Sequence, residues 1–419
     1  MLFLAGAMAP GTALAGMGGG TSATVSGTPA AALHGYLAHE LRLAGRLSGG
    51  YVYDMTSGQT LFSERAEDRR APASVEKLYT ATTALERMGP AAQLETTVLG
   101  VGQLAPGGVW EGSLYLHGGG DPTFGSTGFI HSHYGGVGSS VATLATQIAT
   151  TDGIRRVTGG VWGDESYLDS LRGEPSSGYA FDPYLEGVLS GLAFNRGQSG
   201  FERGPHAPAA FAARELRAAL RAAGVTVART PARSGAAVTP AGAVRLAGVS
   251  SPTVAQLLSL TLPPSDNFFA ETLLKDLGAR FGGAGTTAAG ADAVRATLAE
   301  LGVHPQVVDG SGLSRADQTS PYEVVVLLNA LAHTTIGTTL REDMAVAGRT
   351  GTLSERMRGT AAAGRCEGKT GTLTGVSNLA GYCEAANGEE LAFAFFTDGI
   401  GTATAHVLQD NMTVSLARY

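Results

Sequence analysis

This 419-residue chain predicts an α+β fold interrupted by a β-rich insertion. Apolar residues at helical spacing bracket the chain at 31–44 and 404–416, and the same spacing recurs after Lys77 and after Asn267. Extended runs accompany those helices at both ends, at 51–54 and 60–62 and again at 391–396. Between about 93 and 247 the texture changes to short strands parted by glycines.

Length and composition set the frame. A chain this long suggests two or three domains, and 43% hydrophobic residues are ample for their cores. The 61 glycines and 16% charged residues indicate many turns and a lightly charged surface. A net charge of −7, a pI near 5.7 and the lack of a basic stripe argue against a nucleic-acid or anionic-membrane partner.

Residues 1–29 form a signal-like segment and linker. A short apolar run ends in small residues around Ala13-Leu14-Ala15, as in the core and cleavage site of a secretory signal, although a positive leading region is missing. Export to the periplasm or cell-wall space is therefore expected. No other run is long enough to span a bilayer, so no transmembrane anchor is expected.

Residues 30–92 carry the first helix, a strand–turn–strand around Met55-Thr56-Ser57-Gly58-Gln59, and a helix at 77–88. Pro72 precedes that last helix and Gly89-Pro90 stops it; positions 78, 81, 84, 85 and 88 mark one buried face. The insertion, 93–247, reads as one or two small domains with strands at 96–99, 113–116, 160–162 and 225–227. From 248 onward an apolar, helix-like run ends near Leu262, and Ser265-Asp266-Asn267 then caps another helix. In that helix Phe269, Leu273 and Leu277 share a face, Gly278 reads as the stop, and Lys275 reads as a surface residue. Asp309-Gly310-Ser311-Gly312-Leu313-Ser314-Arg315 is a tight loop, either functional or simply a turn.

Ser74-Val75-Glu76-Lys77 opens the 77–88 helix. Residues three apart share a helix face, so the Ser74 hydroxyl and the Lys77 amine meet at its first turn, beside unpaired backbone N–H groups. A serine hydroxyl is a poor nucleophile until a base takes its proton, and a neutral lysine can be that base. Of the 29 lysines and arginines only Lys77, Lys275 and Lys369 are lysines. Guanidinium cannot give up its proton whereas ammonium can, so a lysine kept in an arginine-rich chain has a task arginine cannot perform. To act near neutral pH, Lys77 must fall by about three units from about 10.4. Burial and a second cation, Lys369, would supply that shift.

Lys369-Thr370-Gly371-Thr372 reads as one strand of a hairpin. Its lysine and threonines suit a substrate carboxylate, an N–H on the open edge suits an oxyanion, and Gly371 leaves room beside that edge. A near copy, Arg349-Thr350-Gly351-Thr352, lies twenty residues earlier; if it is only a turn, the likeness is accidental. Lysine rarity favours the copy at 369.

Three motifs in the order Ser-x-x-Lys, Ser-Asp-Asn, Lys-Thr-Gly are far more specific together than apart, and they mark β-lactamases and penicillin-binding proteins. Pro72-Ala73-Ser74 with Lys77, Ser265-Asp266-Asn267 with Ala270-Glu271, the Asp309–Arg315 loop, and Gly368-Lys369-Thr370-Gly371-Thr372-Leu373 resemble the low-molecular-mass class C penicillin-binding proteins. Those are D-alanyl-D-alanine carboxypeptidases and endopeptidases. Gly118-Gly119-Gly120-Asp121-Pro122 and Ala193-Phe194-Asn195 extend the likeness, and the 187 residues between Lys77 and Ser265 match the family's insertion. Gly119 and Asp317 depart from the pattern.

The resemblance implies a peptidase domain built from 30–92 and 248–419, an antiparallel sheet flanked by helices. It also implies roles for the motif residues. Ser74 attacks the carbonyl between two terminal D-alanines, Lys77 takes its proton, and the N–H groups of Ser74 and Thr372 receive the oxyanion. Ser265 relays the proton to the leaving amine and Asn267 holds the acyl-side amide. Lys369, Thr370 and Thr372, with Gly371 between them, bind the terminal carboxylate. Substrates would be peptidoglycan stem peptides and inhibitors would be β-lactams; no cofactor or metal is implied.

Parts of the sequence also fit three other readings: a serine β-lactamase, an inactive scaffold of the same fold, and a nucleotide-binding protein. The last rests on a relaxed phosphate-loop match over residues 363–370, which needs a helix directly afterwards. Gly371-Thr372-Leu373-Thr374-Gly375-Val376 is poor helix and good hairpin. His131 and His133 lack further ligands for a metal.

The only two cysteines flank the third motif. If 366–372 and 377–383 pair across a four-residue turn at 373–376, Cys366 lies opposite Cys383, about 4.5–5.5 Å away at Cα and within disulfide reach. In an exported protein this pair can be oxidised; the alternative is two buried thiols.

Overall fold

The computed structural model describes residues 28–197, 207–228 and 234–419; the signal-like run at 1–16 and all but the end of the 1–29 segment lie outside them. Its main sheet has six strands: β1 (Gly49–Asp54), β2 (Gln59–Glu64), β3 (Ala345–Val346), β4 (Cys366–Leu373), β5 (Val376–Glu384) and β6 (Glu390–Asp398). Their order is β3-β4-β5-β6-β1-β2, antiparallel throughout, so the two ends of the chain meet where β1 pairs with β6.

Alternation along β6 shows why its sequence is apolar without a break. Leu391, Phe393 and Phe395 enter one core with α1 (Pro29–Leu43) and the closing helix, residues Thr402–Arg418. Ala392, Ala394 and Phe396 enter another with the central helices. A strand covered on both faces needs apolar residues at every position. On α1 the sheet-side stripe is Leu33, Leu37 and Leu41, each contributing about 1.5–3 kcal/mol by burial. Pro29 opens that helix and the Thr28 hydroxyl caps it.

The opposite layer holds α2 (Lys77–Arg87), α3 (Asn267–Phe281) and α4 (Thr287–Glu300). Sequence spacing gave α2 one buried face, whereas every residue from Lys77 to Leu85 is buried. The helix is surrounded, and its three threonines at 80, 82 and 83 are buried with it.

Two expectations about α3 are corrected for the same reason. Gly278 does not stop the helix, which runs on to Phe281. A Cβ at 278 would lie 2.7 Å from Gly290 N and 2.8 Å from Thr286 O, so glycine is needed there for α4 to approach. Lys275 is not on the surface either. It is fully buried, and its ammonium donates to Asp169 Oδ1 at 2.6 Å and Leu171 O at 3.0 Å. The insertion covers what a lone helix would expose.

The second sheet, of seven strands, lies between Glu95 and Ser250. Glu95–Ala105 pairs antiparallel with Val109–Gly118 and with Val244–Ser250, and the shorter strands join in parallel. Helices Val141–Thr150 and Pro208–Ala222, unread in the sequence, pack on it; Leu144, Ile148, Leu216 and Leu220 share a core with Val98, Leu114 and Leu116. Gly119, a departure from the family pattern, marks a backbone crossing: a Cβ there would lie 2.4 Å from Glu95 O.

The β4–β5 hairpin has the expected register, with Thr372 opposite Ser377 and Cys366 opposite Cys383. Its turn is tighter than expected, because Leu373 and Val376 also pair and only Thr374-Gly375 remains, with Gly375 at φ +73°. Cys366 and Cys383 form a disulfide with Cα atoms 4.1 Å apart. Since a strand and hairpin occupy 366–384, no helix follows Lys369-Thr370 and the phosphate-loop geometry is absent.

Candidate active site

Ser74 lies in a 3₁₀ turn, Ala73–Glu76, that leads into α2. Ala73 takes φ +47°, a costly conformation for alanine, and the turn is held on both sides. Asn378 on β5 donates to Ala71 O at 3.0 Å and Pro72 O at 2.8 Å, while Gly371 on β4 lies flat beneath. A Cβ at 371 would stand 2.4 Å from Pro72 O and 3.2 Å from Ser74 N. Glycine therefore lets the serine turn rest on the strand.

Lys77 is buried and its ammonium has three acceptors: Ser74 Oγ at 2.9 Å, Asn267 Oδ1 at 2.6 Å and Ser311 O at 2.7 Å. The first and second motifs are thus joined at one nitrogen. The Asp309–Arg315 loop, left open by sequence, supplies the third contact. Asp309 accepts from the N–H groups of Ser311, Gly312 and Ser314, and Glu271 accepts from Gly310 and Ser311. Asp317, the other departure from the pattern, anchors the loop's start by accepting from Val308 N at 2.6 Å. It acts one link away from the lysine.

Burial lowers Lys77 from 10.5 to about 8, against the pull of Asp309, Glu271 and Glu76. That is less than the sequence argument required. Burial also raises Glu76 well above its usual range and Glu271 to about 8, with Asp309 pushing both the same way. The expected push of Lys369 on Lys77 runs the other way: Lys369 is itself driven well below 10.5, first by burial and then by Lys77.

In the second motif the residues divide their tasks. Asp266 alone is the cap of α3, accepting from Phe269 N at 3.0 Å. Ser265, at φ +68°, and Asn267 are left to face the cleft. The Ser265 hydroxyl accepts from Lys369 Nζ at 2.8 Å, and Asn267 Nδ2 donates to Tyr184 O at 2.7 Å.

Lys369 is fully buried and donates to Ser265 Oγ and Thr370 O, with no carboxylate partner among the described residues. Cys366 O accepts from Ala347 N, so alternate residues of β4, namely 366, 368, 370 and 372, turn their backbone groups to the β3 side. Pairing with β3 ends at Gly368, which leaves the Thr372 N–H on an open edge. The near copy at 349 is a turn, yet it reaches the site. Thr352 Oγ1 accepts from Thr370 Oγ1 at 2.8 Å, and its N–H donates to Pro263 O at 3.0 Å. Arg349 itself packs against Gly364. Lys369→Ala is therefore expected to cost about ten- to a hundredfold in substrate turnover, the scale of losing a charged contact, and Arg349→Ala little. Equal losses in kcat/KM would overturn that distinction.

Four partners of the motif residues escaped the sequence reading: Ser311, Tyr184, Thr352 and Arg196, the last bonded to Asp266. Only Ser311 and Thr352 lay in stretches already singled out. Tyr184 and Arg196 sit in 3₁₀ turns without periodicity.

The chain is 32% identical to the D-alanyl-D-alanine carboxypeptidase of Actinomadura sp. (strain R39), over 90% of this chain and 82% of that protein. It is 28% identical to carboxypeptidase DacB of Mycolicibacterium smegmatis, over 84% and 76%. Its fold is similar to that of penicillin binding protein 4 (dacB) from Haemophilus influenzae, with a TM-score of 0.72 at 20% identity over 91% of this chain and 99% of that one. The model of the D-Ala-D-Ala carboxypeptidase 3 (S13) family matches residues 30–182 and 189–419, a span that takes in all three motifs and both halves of the main sheet, and the chain belongs to that family.

Proposed function

We propose that the protein is a serine-type D-alanyl-D-alanine carboxypeptidase, with endopeptidase action on related peptides, that works through an acyl-enzyme on Ser74. The observation that carries this reading is Lys369, a buried amine without a carboxylate partner among the described residues, facing Ser265 across from the Ser74–Lys77 pair. An unpaired buried cation is costly, and a substrate's terminal carboxylate offsets the cost by pairing with it. Thr372 adds a hydroxyl donor on the same edge, and the Thr370 hydroxyl, which donates to Thr352, lies on the same strand and can turn to the carboxylate.

Neutral Lys77 takes the Ser74 proton as Oγ attacks the carbonyl of the penultimate D-alanine. The N–H groups of Ser74 and Thr372 receive the oxyanion. Ser265 relays a proton to the leaving D-alanine amine, Asn267 holds the acyl-side amide, and water then hydrolyses the ester. A β-lactam enters the same sequence, because its strained amide and carboxylate mimic the dipeptide. Residues 30–92 and 248–419 form the peptidase part in this reading, with 93–247 inserted between them. Substrates in peptidoglycan place the enzyme outside the cytoplasm, consistent with the signal-like run at 1–16; among the described residues no single helix is long and apolar enough to cross a membrane.

D-alanine release from a peptide ending in D-Ala-D-Ala tests the reading. Turnover is expected, with kcat/KM falling about tenfold per pH unit below about 8, because only the deprotonated form of Lys77 accepts the serine proton. A folded protein that releases no D-alanine, or a profile flat between pH 6 and 8, would contradict it.

A further inference from the structure

Asn195 and Arg196, at the end of the insertion's Ala193-Phe194-Asn195 stretch, both take left-handed backbone, with φ 50° and 59°. Neighbouring contacts hold this unusual pair. Asn195 Oδ1 accepts from Ser126 N at 2.9 Å and its N–H donates to Phe124 O at 2.9 Å. The turn directs Arg196 to α3. There the guanidinium is surrounded by the rings of Tyr134, Phe268 and Phe269, whose centres lie 5.8, 5.3 and 5.4 Å from its carbon.

Its donors are divided between two walls of the cleft. Nε donates to the Tyr134 hydroxyl at 2.9 Å. One terminal nitrogen donates to Glu186 O at 3.2 Å and lies 3.5 Å from the Glu186 carboxylate; the other is bonded to Asp266 Oδ2. Glu186 ends the 3₁₀ turn Pro183–Leu185 whose Tyr184 carbonyl receives the Asn267 amide, and Asp266 directly precedes Asn267. One planar fork therefore joins both backbone segments that Asn267 touches or springs from.

We propose that Arg196 is a positioning residue for acylation: it fixes the spacing between the Tyr184 turn and Ser265-Asp266-Asn267, and so holds Asn267 between Lys77 and the Tyr184 carbonyl. This rests on the reading of Asn267 as a cleft residue of a penicillin-binding site. By this route the insertion acts on the chemistry.

A double-mutant cycle tests it. Arg196→Met and Arg196→Lys are made alone and with Asn267→Ala, and the rate of acylation by a labelled penicillin is measured together with kcat and KM for a D-Ala-D-Ala peptide. Arg196→Met is expected to slow acylation about tenfold or more in the native background and less than about twofold once Asn267 is gone. Arg196→Lys, which keeps charge but cannot fork to both walls, should fall between, and it carries the cycle should the Met variant not fold. Equal losses in both backgrounds, or acylation unchanged in a folded Arg196→Met protein, would overturn the proposal. A native protein that takes no penicillin on Ser74 would instead overturn the functional reading beneath it.

Discussion

Lys77→Arg is expected to slow acylation of Ser74 by about 10³–10⁴-fold, the upper range for loss of a positioned general base. The substitution preserves the positive charge and removes the ability to be neutral, while placing a larger, planar head group in the same buried site. At Lys77 the ammonium is buried among Ser74 Oγ, Asn267 Oδ1 and Ser311 O, and burial has already brought it to about 8. Guanidinium stays protonated at any workable pH, so raising the pH should not rescue the variant, whereas the native rate climbs through pH 8. Acylation kinetics between pH 6 and 10 check this. A variant within tenfold of the native rate would mean that the proton leaves Ser74 by another route.

Gly371→Ala is expected to be nearly as damaging, although no proposed chemical group is removed. Its Cβ would lie 2.4 Å from Pro72 O and 3.2 Å from Ser74 N, so the turn bearing the nucleophile must lift from β4. Lifting it separates the N–H groups of Ser74 and Thr372, and losing one oxyanion donor costs about 2.7–4 kcal/mol, or 10²–10³ in rate. The loss should fall on kcat, because the carboxylate contacts on β4 remain. Steady-state kinetics on a D-Ala-D-Ala peptide check it; a raised KM with native kcat would place Gly371 in binding alone.

The sequence made the site's own groups legible because each motif has local geometry: three residues make a helical turn, and alternation fixes a hairpin register. The Cys366–Cys383 pairing followed from that register alone. Supports from distant parts of the chain were not legible. Arg196 and Tyr184 lie in turns without periodicity, and their partners are 70 and 83 residues away. Lys275 is a different failure. Lysine rarity singles it out as it does Lys77 and Lys369, but its place in an isolated helix reads as surface, and only the insertion seals Asp169 over it. Gly278 fails similarly, since a glycine that ends a helix and one that admits a neighbouring helix look alike in one dimension. The near copy at 349 ranks below the copy at 369 on lysine rarity, yet its turn brings Thr352 against Thr370 on β4.

Every step proposed above passes through Ser74 as the acylated nucleophile. Incubation of the protein with a labelled penicillin, followed by proteolysis and mass mapping, tests it most directly. One penicilloyl adduct is expected on the peptide containing Ser74, and none on Ser74→Ala protein that keeps its melting temperature within about 3 °C. An adduct on any other residue, or label retained by the folded Ser74→Ala protein, would contradict it.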